Sequence, residues 1–220
     1  MDIEFLAKYY KFFISGTGIT LFLSFFGVIF GVVIGVFLAL MKLSEKPLIR
    51  MPATAYIEVV RGTPLLVQLF LIYIGLPKAT GIAFPDLSLA IIAVSLNSAA
   101  YVAEIIRAGI QSIDKGQMEA ARSLGMTHSV TMRYIIIPQA FKNILPALGN
   151  EFIVLVKESA IVSVIGIHDL MYKADTVRGI SYKPFAPLLI AAVIYFSITF
   201  TLSKLVGNLE RRLSAGDPRK

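Results

Sequence analysis

Cysteine and tryptophan are absent from this chain, and histidine occurs only at His128 and His168. Without cysteine there are no disulfides, thiolate metal sites or cysteine nucleophiles, and two isolated histidines cannot form a metal cluster by themselves. Charge is scarce as well. Asp, Glu, Lys and Arg make up 16% of the 220 residues, against about 25% in soluble domains. Hydrophobic residues make up 56% and the mean hydropathy is +0.76, which excludes a disordered chain and a small secreted scaffold and indicates a membrane protein. No Gly-Lys pair occurs anywhere. A phosphate-cradling loop ending in Gly-Lys-Ser or Gly-Lys-Thr therefore cannot be built, and no ATPase site or other enzymatic centre is expected in this chain.

The uncharged stretches mark the spans. Thirty uncharged residues separate Lys11 from Lys42, seventeen separate Asp86 from Glu104, and twenty separate Lys183 from Lys204, where a spanning helix needs about 20. Two further apolar segments carry charges: Glu58 and Arg61 in one, Glu151, Lys157 and Glu158 in the other. The expectation is an all-α membrane protein forming a single transmembrane domain over 1–220. Its five spans fall at about 13–41, 52–76, 87–107, 139–165 and 185–206. The acidic start Met1-Asp2-Ile3-Glu4 is unlike a signal peptide, so the first apolar run is read as a retained anchor.

Basic residues then set the orientation. Twelve lie on the side holding Lys42, Lys46, Arg50, Arg107, Lys115, Arg122, Arg133, Lys142, Arg211, Arg212, Arg219 and Lys220; the other side has six. This puts the N-terminus outside and the C-terminus in the cytoplasm. The formal net charge of +7 is read as this bias plus attraction to anionic lipid, and no basic, aromatic-interleaved patch suggests nucleic acid. In span one, Gly27, Gly31 and Gly35 form small-xxx-small steps suited to close helix packing.

The longest cytoplasmic feature is the loop at about 112–138. Asp114-Lys115-Gly116-Gln117 has the spacing of a capping box, and Gly125 supplies a left-handed stop, so a helix of about two turns is expected between them. A second helix begins near Thr127 or Ser129, presents Val130, Tyr134 and Ile137 on one face, and meets Pro138 where the chain enters the membrane.

Glu119-Ala120-Ala121, Gly125, Ile135, Ile137 and Pro138 follow the spacing of the "EAA" loop of binding-protein-dependent ABC importer permeases, with Ile137 where Leu is usual. Tyr101-Val102-Ala103-Glu104-Ile105-Ile106-Arg107-Ala108-Gly109-Ile110-Gln111-Ser112-Ile113 resembles the subfamily that imports polar amino acids, the histidine, glutamine and arginine permeases. So do Lys115-Gly116-Gln117, Gly149-Asn150-Glu151-Phe152-Ile153 and Arg61-Gly62-Thr63-Pro64. The resemblance covers about residues 15–210. It implies an ABC type I importer permease fold in the prokaryotic inner membrane, importing polar, basic amino acids. It also implies a short coupling helix gripped by one of two ATPase subunits, which bind ATP and Mg. Gln117, Glu119, Ala120, Ala121, Leu124 and Gly125 would make that contact. A second permease subunit, forming a homodimer, and an extracytoplasmic solute-binding protein complete the implied assembly, with residues 167–187 a candidate face for the latter.

Ionisable groups are costly in the hydrocarbon and mark cavities or partners. Asn97, Tyr101 and Glu104 share one stripe of span three, and Glu151 and Glu158 share one of span four. If the stripes face each other they form an acidic pocket for an ammonium or a cationic side chain. Asn97, Gln68 or backbone amides at Gly62-Thr63-Pro64 would supply donors for the substrate carboxylate. Glu151 with Asn97 is the preferred pair. Competing structural roles are an i,i+3 pair of Glu58 with Arg61, pairing of Glu104 with Arg107, and cancellation of Glu158 or Glu151 by Lys157. A stand-alone ion-coupled carrier is the alternative reading, but the inverted repeats it would show are missing.

Overall fold

A computed structural model describes residues 3–214, so Arg219 and Lys220 of the basic tail lie outside the described residues. The described chain is all helical. The helices are α1 (Ile3–Lys42), α2 (Pro47–Gly62), α3 (Leu65–Thr80), α4 (Asp86–Gln111), α5 (Lys115–Ser123), α6 (His128–Thr131), α7 (Ile137–Glu158), α8 (Leu170–Ser181) and α9 (Ala186–Ser214). A π turn, Met132–Ile136, joins α6 to α7, and a 3-10 segment, Ser159–Ile165, follows α7.

By length and apolar composition α1, α4 and α9 can each cross a membrane, and α2 with α3 together are as apolar, bent by 111° at their junction in the manner of a broken span or a re-entrant loop. The segment expected to span at 52–76 is bent within its length. Pro64 has no N–H to continue the ladder, and Thr63 before it adopts an extended backbone (φ −121°, ψ 147°), as residues preceding proline do. The segment at 139–165 is also divided. Its α-helix stops at Glu158 and carries Lys142, Glu151, Lys157 and Glu158.

At about 1.5 Å per residue, the 40 residues of α1 reach about 60 Å, twice the hydrocarbon thickness. The helix therefore begins well before the expected residue 13. Its first turns bury Phe5, Tyr9 and Phe13 against Leu170, Ala174 and Val177 of α8 and Ile190 and Ala191 of α9.

α4 lies at the centre, with α1 on one side, α2–α3 on another and α7 on a third; α9 covers α7. Lipid is as apolar as a leucine side chain, so burial drives helix association only weakly and close backbone approach must do the work. At Gly31 and Gly35 the two backbones are so near that a Cβ would lie 2.9 Å from Ser98 Cβ and 2.6 Å from Val102 Cγ1. The expected glycine seam of span one is thus the seat of α4.

The π turn has a local cause. Pro138 cannot donate a hydrogen bond, and Ile137 N–H reaches back five residues to Met132 O, so the helix widens by one residue instead of breaking. The face of Val130, Tyr134 and Ile137 is exposed, while Thr131, Ile136, Ala140 and Ile144 are buried.

Candidate functional site

Two regions concentrate the residues singled out from the sequence. One is the helical hairpin of α5 and α6. Asp114 caps α5 by accepting from Gly116 N–H at 2.7 Å, which is the forward half of the expected capping box. At the other end Gly125 has φ +84°, its N–H donates to Arg122 O, and Met126 N–H donates to Ala121 O. That pair of bonds is a Schellman ending. Thr127 then caps α6 by accepting from Val130 N–H at 3.4 Å. Nine residues with both ends closed form a rigid peg. Ala121 is buried toward the rest of the chain, Gln117 is half-buried, and Glu119, Ala120, Leu124 and Gly125 are exposed, Leu124 by 84%.

The other region is the face of α4 turned to the α2–α3 break. Asn97 donates from Nδ2 to Gln68 Oε1 at 2.9 Å. Gln68 in turn donates from Nε2 to Val60 O at 2.7 Å, Thr63 O at 3.0 Å and Thr63 Oγ1 at 2.9 Å. The carbonyls orphaned where α2 stops are satisfied in this way, and the break is tied to α4. Tyr56 adds a bond from its hydroxyl to Leu96 O at 2.8 Å. One turn further along α4, Tyr101 lies under the Arg61 guanidinium, 5.6 Å from the ring centroid. Glu104 holds three cations: Lys42 Nζ at 2.5 Å, Arg107 NH2 at 2.9 Å and Arg61 NH1 at 3.4 Å.

Asn97, Gln68, Thr63, Gly62, Tyr101 and Glu104 are therefore brought to one face. Glu151 and Glu158 are not. Glu151 is buried and accepts from Ser98 Oγ at 3.0 Å, on a side of α4 that does not carry the Gln68 bond, and Glu158 is exposed at the end of α7. Within one chain the two acidic stripes do not close on each other. Among the described residues Lys157 forms no ion pair with either glutamate, and Glu58 forms none with Arg61, which turns to Glu104 instead. Glu58 and Arg61 are neighbours along α2, but a carboxylate already flanked by Lys42 and Arg107 on another helix offers Arg61 the drier partner.

Three contacts of the candidate residues escaped sequence reasoning: Lys42 on Glu104, Arg61 on Glu104, and Ser98 on Glu151. Each joins residues far apart in the chain. Lys42 registered only as a charge that orients the protein, and Ser98 was not singled out.

Away from this face, Asp169 caps α8 by accepting from Tyr172 N–H at 2.9 Å, and the Tyr195 hydroxyl donates to its other oxygen at 3.4 Å. Burial pushes its carboxyl up to about 6 in spite of these donors.

Residues 31–215 match the family described as "Binding-protein-dependent transport system inner membrane component". The arginine transport system permease protein ArtQ of Bacillus subtilis (strain 168) is 44% identical over 220 residues, covering 99% of this chain and 100% of that protein. The putative glutamine transport system permease protein GlnP of Rickettsia conorii is 45% identical over 213 residues, covering 96% and 98%. Among solved structures, an amino acid ABC transporter crystallised with histidines superposes with a TM-score of 0.92 at 57% identity, over 96% of this chain and 99% of that one. The inward-facing MetNI methionine ABC transporter, at 19% identity, shares the fold with a TM-score of 0.78 over 97% and 99%. None of these similarities supports an ion-coupled carrier. The fold is that of the ABC type I importer permeases, and the chain belongs to the binding-protein-dependent transport system inner membrane components.

Proposed function

We propose that the chain is the transmembrane subunit of an importer for polar, basic amino acids and that it has no ATPase activity of its own. Two ATPase subunits binding ATP and Mg, a second copy of the permease and an extracytoplasmic binding protein complete the machine. The segments expected at 13–41, 52–76, 87–107, 139–165 and 185–206 make five crossings, with the N-terminus outside and the C-terminus inside. The observation that carries this reading is α5. A nine-residue helix closed by a side-chain cap at one end and a Schellman turn at the other, with Leu124 and Glu119 exposed, suits the helix-in-groove mode of docking. It continues through α6 and the π turn into α7, so a push on α5 reaches the membrane through backbone hydrogen bonds and not through a slack loop.

Support for an amino-acid substrate comes from the relatives, whose names specify arginine and glutamine, and from Asn97, Tyr101, Gln68, Thr63 and Gly62 gathered at the helix break. Glu151 and Glu158 are proposed to face the ammonium or cationic end of the substrate in the assembled dimer, while Glu104 anchors the cations beside the break. The test is transport by the complete complex in lipid vesicles. Glu119→Lys and Gly125→Pro should lower uptake per ATP hydrolysed at least tenfold while the permease remains inserted; coupling as in the wild type would refute the role of α5. Glu151→Ala should reduce uptake of cationic amino acids more than that of neutral ones, and an equal loss would make Glu151 structural.

A further inference from the structure

The loop that carries α5 enters the membrane by two arms. On one side α5 runs through α6 and the π turn into α7; on the other, only residues 112–114 separate it from the end of α4 at Gln111. The roots of the two arms meet. Asn143 on α7 donates from Nδ2 to Ser112 Oγ at 2.9 Å, and the Ser112 hydroxyl donates in turn to Gly109 O at 2.8 Å. Beside that bond the two helices come into close contact. Gly109 and Ile144 are buried, and a Cβ built on Gly109 would fall inside the Ile144 side chain, with Ala140 O 3.6 Å away.

These contacts close the loop into a ring that leaves α4, passes through α5, α6 and the π turn, and returns along α7 to α4. An open loop would respond to a push differently. It would let α4 and α7 part, and motion of α5 would be taken up by a swing at Ile113, whose N–H has only a long 3.4 Å bond to Ile110 O. Closed, it displaces both helices together. The seam is of the kind that seats α4 on α1, a glycine removing the side chain that would hold the backbones apart. Five residues earlier on α4, Glu104 holds Lys42 at the end of α1 at 2.5 Å, so α1 is tied to the same end of the ring.

We propose that Gly109, Ile144, Ser112 and Asn143 are positioning residues that close this ring, so that α4 and α7 move as one body when α5 is driven. The proposal rests on the reading of α5 as the helix gripped by an ATPase subunit. A chain without cysteine is a clean background for a lock. In the complete complex in lipid vesicles, Ser112→Cys with Asn143→Cys should be joined by a mild oxidant, and uptake per ATP hydrolysed should stay within about twofold of the reduced protein. Uptake that stops on oxidation and returns on reduction would show that the helices part during the cycle and would overturn the proposal, as would a pair that does not oxidise. Adding Ile144→Ala to the same pair should lower uptake per ATP hydrolysed at least about fivefold while reduced, with the permease still inserted, and oxidation should restore it. Equal coupling in the two states would make the contact merely structural and overturn the proposal. The two readings fail separately: wild-type coupling in Glu119→Lys removes α5 as the driven helix, whereas an uncoupled Glu119→Lys together with a lock that stops transport leaves α5 its role and removes only the ring.

Discussion

The two sides of α4 are built on opposite principles. Toward α1 the helix presents Val94, Ser98, Ala99 and Val102 against Gly27, Gly31 and Gly35, all of them buried but uncharged, at separations that leave no room for a Cβ. Toward α2–α3 it presents Asn97 and Tyr101, against a helix that is broken and an arginine that is half free, and Glu104, which also holds Lys42 at the very end of α1. The first side is held by van der Waals contact that tolerates no displacement. The second is held by polar bonds that can be exchanged one for another. An importer that alternates its access needs both: a rigid seam to carry force and a face that can rearrange without unfolding.

Three substitutions would break or sharpen that contrast, and a fourth tests the cap of α8 at the far end of α1, in falling order of effect. Gly35→Leu forces a side chain into Val102 and the Ala99 carbonyl, and should cost about 3 kcal/mol or more, seen as loss of folded permease on size-exclusion chromatography after mild solubilisation. Survival with normal melting would show that the seam is loose. Glu104→Gln leaves three cations without their anion at a half-buried site and should cost about 2 kcal/mol, lowering the melting temperature less at high salt than at low salt. No dependence on salt would argue against an ionic latch. Asn97→Ala removes one link between α4 and the break and should cost about 1 kcal/mol, with the loss non-additive in combination with Gln68→Ala; strict additivity would uncouple the two residues.

Asp169→Asn has the smallest expected effect and concerns pH. The carboxyl of Asp169 is raised to about 6 by burial, above the unfolded value of about 3.9. Folded and unfolded states then bind protons equally below about pH 3.9. As pH rises from there through about 6, the unfolded chain ionises first and stability is lost. Asparagine keeps the capping oxygen and never ionises. Thermal unfolding from pH 4 to 8 should therefore decline in the wild type and stay flatter in the variant, and parallel curves would remove Asp169 as the cause.

Much of the fold was legible because membrane helices advertise themselves. Long uncharged runs located α1, α4 and α9, and the stop at Gly125 with the cap at Asp114 located α5, since both are decided by a few adjacent residues. The bend after Gly62 was foreshadowed by Thr63-Pro64, but its size was not, because proline removes one hydrogen bond without specifying the new direction. The helical stripe Asn97, Tyr101, Glu104 emerged as one face, yet its partners did not: spacing along α4 says nothing about which helix lies opposite. The expected Glu58–Arg61 pair failed for that reason.

From the sequence alone follow a membrane-embedded helical chain with no Gly-Lys pair for a phosphate-cradling loop and a short capped helix in its longest polar loop, because hydropathy, caps and short motifs are local properties. What only the tertiary structure decided is the allocation of charge: Lys42 and Arg107 to Glu104, Glu151 to Ser98, and Arg61 left over beside the broken helix. Coulomb energy and hydrogen-bond geometry depend on distances of a few ångströms, and those distances exist only once the helices have packed.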